Sequence, residues 1–172
     1  MSVAIDVAAR CNCRGTVVGA VIVRANRICA TGYNGTVVGF TNCIDGGCPR
    51  CAGGVLSGTE LDRCVCVHAE QNALLAAARG GVSVEGAECW VTTEPCLECT
   101  KNLIQARLDL VTYWLPYRLP QVESQKLRSD LRDHAAEITR FQEWTPDSDV
   151  LGLGARYKEI EERLAAYVAA GP

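Results

Sequence analysis

No apolar run in this chain approaches the ~18 residues that a membrane-spanning helix needs. A basic cluster is missing too: the formal charge is -3 and the sequence pI is near 5.4, with only scattered Lys and Arg after residue 100. Proteins that grip a nucleic-acid backbone usually present a clustered basic face. Neither a membrane nor a nucleic acid is therefore an expected partner. Internal repeats and low-complexity linkers are also lacking. The opening stretch, MSVAIDVAARCNC, contains Asp6 and no basic start followed by an apolar core, so it does not read as a secretory signal. A cytosolic location is expected.

What the chain does contain is a globular composition and much cysteine. Its 172 residues are 48% apolar and 22% charged, which suits one domain with its own hydrophobic core. Eleven cysteines are present. In a reducing compartment such density points to metal rather than disulfides, and an odd number fits pairing poorly. Cys29 and Cys89 sit among strand-like apolar residues and are read as core packing. The others call for an explanation.

The order of elements suggests where they lie. Residues 2–10 form a short helix capped by Ser2. VVGAVIVR at 17–24 is a buried strand, and a turn at Ala25-Asn26 leads to a second strand at 27–33. A Gly- and Cys-rich segment follows, roughly 34–66. So long a loop is improbable in a compact domain unless something holds it, and metal coordination by its cysteines would. A helix over 68–81 ends at a Gly pair, and a strand occupies 87–94. Pro95 opens the next helix in a first-turn position, and a further strand spans 108–115. Strand, helix, strand, helix, strand implies an α/β layered sheet. Beyond Pro120, helices are expected at 122–133 and 154–170, with a short strand near 137–143.

Two short motifs carry the chemistry. His68 and Glu70 open one predicted helix, in CVCVHAEQN; Cys96 and Cys99 open the other, in PCLEC. Cysteines three apart share one face of a first turn, and a helix N-terminus favours thiolate, the form that binds zinc. Side by side, the two starts supply His68, Cys96 and Cys99 as three ligands. Three ligands with an open fourth position is the pattern of a catalytic zinc; a structural site closes with four. Glu70, two residues past the histidine, is close enough to take a proton from water and pass it on. Alone, His-x-Glu occurs by chance and CxxC suggests a redox pair or half a structural site. Together, H-x-E followed by P-C-x-x-C is the signature of zinc nucleobase deaminases.

With VGAVIV at 18–23, ATGYNG at 30–35, TNC at 41–43, VHAEQNA at 67–73 and TEPCLEC at 93–99, the chain resembles the deoxycytidylate (dCMP) deaminase family over roughly residues 10–115. The resemblance implies a three-layer α/β/α fold, cytidine-deaminase-like, with a mixed sheet of about five strands. One deaminase domain over 1–172 is expected, its core about 10–120 and its helical C-terminal segment divergent. The resemblance also implies a catalytic zinc on His68, Cys96 and Cys99, Glu70 as proton shuttle, and a homo-oligomer, dimer to hexamer. It gives Asn34 a contact to the substrate sugar and the Glu94 carbonyl a hydrogen bond from the ring amino group. By composition alone, Asn34-Gly35 reads as a turn dipeptide. A second, structural zinc is implied on Cys13, Cys43, Cys48 and Cys64. Cys11, Cys51 and Cys66 are additional, so a competing tetrad or two linked zincs stay open.

The expected reaction is zinc-dependent hydrolysis of dCMP to dUMP and ammonia. The same chemistry on CMP, a free nucleoside or base, or another small amine competes with it. A tRNA-type editing deaminase shares both motifs, but the acidic balance counts against it. A zinc-clipped interaction module or thiol sensor is the non-enzymatic alternative.

Overall fold

The computed structural model describes residues 1–56, 58–145 and 152–170. Its sheet starts from the β-branched run. β1 (Gly19–Arg24) and β2 (Arg27–Tyr33) pair antiparallel through a turn in which Ala25 and Asn26 have φ of 50° and 59°. Two left-handed central residues make a type I′ turn, whose twist matches the flanking strands. The chain then leaves the sheet. β3 (Gly35–Thr36) pairs with β4 (Cys66–Val67) in a small separate ribbon, and the described residues between them include 3₁₀ turns at Cys43–Asp45 and Leu61–Arg63 and the one-turn helix α2 (Pro49–Ala52). Back in the main sheet, β5 (Glu88–Thr93) lies antiparallel to β1. β6 (Leu110–Leu115) and β7 (Arg140–Glu143) extend it in parallel, giving the order β2-β1-β5-β6-β7.

Helices cover both faces because two glycines let them come close. Gly32 pairs with Ala20, so Gly19, the neighbour of Ala20, faces the other side of the pleat. A Cβ on Gly32 would sit 2.1 Å from the Ala69 carbonyl oxygen, and one on Gly19 would sit 2.1 Å from that of Ala4. Hence α3 (Ala69–Arg79) seats on one face and α1 (Ser2–Ala8) on the other. Ala69, Ala73 and Ala77 of α3 and Leu103 of α4 (Leu97–Gln105) pack on Ala20, Ile22 and Val91 in the larger core, which also takes in Cys89, with Cys29 at its edge. α5 (Val122–His134) lies against α4. On the opposite face Ile5 meets Leu153 and Tyr157 of α6 (Leu153–Ala170), with Trp114 edge-on to both Trp144 and Tyr157. The fold is thus α/β/α in three layers around a mixed five-stranded sheet. Among the described residues no helix is long and apolar enough to cross a membrane.

Two cap expectations are corrected. Ser2 lies inside α1 and makes no cap; its hydroxyl is taken instead by the Arg156 guanidinium at 3.3 Å, from the far end of the chain. Pro95 stands before the helix rather than in its first turn, because Cys96 is the cap and α4 begins at Leu97.

Replacing Gly32 by Ala is expected to cost about 1–3 kcal/mol, since neither α3 nor β2 has room for a methyl group. Urea unfolding measures it; a loss within about 0.5 kcal/mol, as for a surface change, would contradict this seating.

Candidate active site and metal centres

Both short motifs become helix starts. His68 is the N-cap of α3, in extended conformation, with its N–H donating to Gln71 Oε1 at 3.2 Å. Cys96 is the N-cap of α4, and its sulfur accepts the Cys99 N–H at 3.5 Å. The two caps face one another. His68 Nδ1 lies 3.4 Å from Cys96 Sγ and 3.4 Å from Cys99 Sγ, and both cysteines are buried. Hydrogen bonds from Cys99 and His68 bring the Cys96 thiol down to about 4, against the effect of burial. The Cys96 hydrogen bond raises the His68 imidazole. Two sulfurs and an imidazole nitrogen thus meet at one point, a set suited to a divalent zinc ion.

Glu70 lines the same cavity, an open pocket of about 110 Å³. Its carboxyl is buried and pushed up to about 7, first by that burial and next by the Cys96 thiolate. Asn34 also lines the cavity but forms no turn; it joins β2 to β3. Its Oδ1 accepts the Val18 N–H at 2.9 Å and its Nδ2 donates to the Thr16 carbonyl at 2.6 Å. A carboxamide has two donors and two acceptor lone pairs, so one N–H and one lone pair remain to it. Glu94 borders the cavity beside Cys96.

The set Cys13, Cys43, Cys48 and Cys64 expected for a structural zinc is not assembled as one tetrad. Instead the sulfurs of Cys13, Cys43, Cys51 and Cys66 lie within 4.8 Å of one another, as do those of Cys48, Cys51, Cys64 and Cys66. The reason is local. The one-turn helix α2 brings Cys51 round to the side of its own cap, Cys48, while the β3–β4 pairing fixes Cys66 beside the N-terminal segment. Cys11 joins neither set. Its thiol points to the Cys13 carbonyl at 3.7 Å, and burial pushes it up to about 12.

The description "cytidine and deoxycytidylate deaminase zinc-binding region" belongs to the family model that matches residues 1–115. The chain belongs to this deaminase family. It is 47% identical over 119 residues to a deoxycytidylate deaminase of Schizosaccharomyces pombe, covering 69% of this chain and 37% of the relative. The Saccharomyces cerevisiae deoxycytidylate deaminase is 43% identical over 129 residues, covering 75% and 40%. The chain thus spans about two fifths of the length of these curated relatives. Among solved structures, the dCMP deaminase of cyanophage S-TIM5 in complex with dCMP and dUMP superposes with a TM-score of 0.61 at 30% identity, covering 83% of this chain and 91% of that one.

Three arginines of this deaminase-family chain escaped the sequence reading. Glu94 Oε1 and Oε2 pair with Arg132 at 2.7 Å and Arg128 at 3.1 Å, and Oε2 also accepts the Tyr117 N–H at 2.9 Å. Arg128 is fully buried and donates to the Pro95 carbonyl at 2.9 Å as well. α5 therefore clamps the residues that lead into Cys96. Its only sequence signal is the four-residue spacing that puts both arginines on one helix face. The third, Arg50, is apart from His68 the one cationic side chain among the described residues lining the cavity. It donates through Nε to Thr59 and through one NH2 group to Leu56, both carbonyls, at 2.7 and 3.1 Å.

Arg128→Met is expected to destabilise the fold by roughly 3 kcal/mol, because it strips a buried carboxylate of one of its cations. Urea unfolding checks it. An unchanged midpoint would mean that the Glu94 clamp does not hold α5 against the site.

Proposed function

We propose that this chain hydrolyses dCMP to dUMP and ammonia, with His68, Cys96 and Cys99 holding a zinc ion. The observation that carries the reading is the His68, Cys96 and Cys99 donor set, two of whose members line one cavity with the buried Glu70 carboxyl. When bound, zinc supplies a Lewis acid that lets water ionise near neutral pH. Glu70 takes the proton from the attacking water and returns it to the departing amine, so that dCMP and water become dUMP and ammonia. A group near 7 serves both transfers with little bias. The remaining N–H and lone pair of Asn34 meet the sugar hydroxyl, and the Glu94 carbonyl accepts from the ring amino group.

Arg50 favours a phosphorylated substrate over a free nucleoside or base. Guanidinium has five N–H donors, so Arg50 keeps some for a 5′-phosphate after its contacts to Thr59, Leu56 and Cys51. The cyanophage relative bound to dCMP and dUMP supports the same substrate class. A cytosolic location, a single domain over the whole chain and a homo-oligomer, dimer to hexamer, belong to the same proposal.

Incubation with dCMP, CMP, deoxycytidine, cytosine and guanine, following ammonia release, tests it. Turnover of dCMP above the rest is expected; no turnover of dCMP beside clear turnover of another would overturn it. Glu70→Gln is expected to lower kcat by at least 10²-fold with zinc content unchanged. Retained activity in that variant would remove Glu70 from the chemistry. Arg50→Ala is expected to raise KM for dCMP about tenfold or more and to leave deoxycytidine turnover unaffected. Equal losses on both substrates would show that Arg50 reads no phosphate.

A further inference from the structure

Six cysteines other than Cys96 and Cys99 form two overlapping sets. Cys13, Cys43, Cys51 and Cys66 make one, Cys48, Cys51, Cys64 and Cys66 the other, and each set keeps its sulfurs within 4.8 Å of one another. Cys51 and Cys66 are common to both. A tetrahedral ion bound to sulfur at ~2.3 Å holds its ligands about 3.8 Å apart. Cys48 and Cys64 stand at 3.8 Å and Cys51 and Cys64 at 4.0 Å. A disulfide would bring two sulfurs to ~2.05 Å, and every cysteine here is a free thiol.

We propose that these six cysteines hold two zinc ions as one cluster, with Cys51 and Cys66 bridging both ions. Cys13 and Cys43 complete one ion's shell, and Cys48 and Cys64 complete the other's. Supply decides between this and simpler schemes. Two separate tetrads need eight sulfurs; the only further cysteine nearby, Cys11, belongs to neither set and directs its thiol at a carbonyl. Two ions must therefore share, and the residues they can share are the two that the sets have in common. A single ion in the first set leaves Cys48 and Cys64 side by side against thiolates already in use. Charge agrees. One divalent ion neutralises a third of six thiolates, and two neutralise two thirds. Donors stand around the excess: the Arg14 and Gly15 N–H groups lie 3.3 and 3.4 Å from the sulfurs of Cys43 and Cys13, and the Arg50 guanidinium lies 3.8 Å from Cys51.

Such a cluster gives the 34–66 segment the core it lacks in apolar side chains. It joins the N-terminal segment, the turn at Cys43, α2 and β4. Cys48 and Cys51 flank Arg50, and Cys66 lies two residues before His68, so the cluster fixes both against the cavity.

The proposal does not depend on the substrate and is tested apart from turnover. The full chain is loaded with ¹¹³Cd in place of zinc, and ¹H–¹¹³Cd correlation spectra are recorded. Two resonances in the all-sulfur range are expected, with the β-protons of Cys51 and Cys66 coupled to both and those of Cys13, Cys43, Cys48 and Cys64 each coupled to one. The site at His68 gives its own signal, set apart by its nitrogen ligand. Native mass spectrometry of the zinc protein is expected to show three ions per chain. A single all-sulfur resonance, two that share no cysteine, or at most two ions per chain with the His68 signal present would overturn the bridged cluster.

Discussion

Everything at the site depends on two helix starts facing each other. A helix N-terminus leaves its first N–H groups without partners and carries a partial positive charge. Placing Cys96 at one cap puts an anionic sulfur where that field favours it, and His68 at the other cap faces it with a ring nitrogen. Cys99, one turn on, adds its sulfur and gives its own N–H to Cys96. The arrangement lies just past the carboxyl end of β5, where open α/β sheets characteristically bind ligands. It needs both helices at fixed depth. For α3 that depth is set by Gly32, and for α4 by the strand β5 that leads into it.

The segments around these caps are held by different means on their two sides. On the Glu94 side the tie is ionic and buried. Arg128 and Arg132 of α5 meet one carboxylate, and Arg132 also stacks over the Phe141 ring at 4.5 Å from its centroid. Breaking one partner of such a pair costs far more than the pair contributes net, which makes α5 part of the site's frame rather than an appendage. On the His68 side the tie runs through sulfur and through amides. Asn12 alone bonds with Asn34, Thr36, Asn42 and Ile44. A segment rich in Gly and poor in large apolar groups cannot bury enough surface to order itself, so polar and metal-type contacts must do so.

How much of this was legible depended on distance along the chain. The α/β layering, the strands of the main sheet and the two helix starts could be read because each signal is local: β-branched runs, a Gly pair ending α3, cysteines at i and i+3. The three-layer arrangement and the meeting of HAE with PCLEC followed from the family resemblance, and the β3–β4 ribbon carried no signal. Local signals failed where a distant residue claims the same atoms. Ser2 suits a cap, yet Arg156 takes its hydroxyl. Asn34-Gly35 suits a turn, yet Val18 and Thr16 hold the Asn34 amide in a strand connection. Glu94 and Arg128 carry no mark of partnership in sequence. The grouping of the cysteines was equally hidden, because four separate segments bring them together and spacing within CPRC or CVC says nothing of which sulfurs meet.

The most direct test of the central arrangement is a crystal of the zinc-loaded protein measured on both sides of the zinc absorption edge. An anomalous peak bounded by His68 Nδ1, Cys96 Sγ and Cys99 Sγ, with no fourth protein atom bound and Glu70 alongside, is the predicted result. No peak between those three atoms, or a fourth protein ligand closing it, would contradict the account.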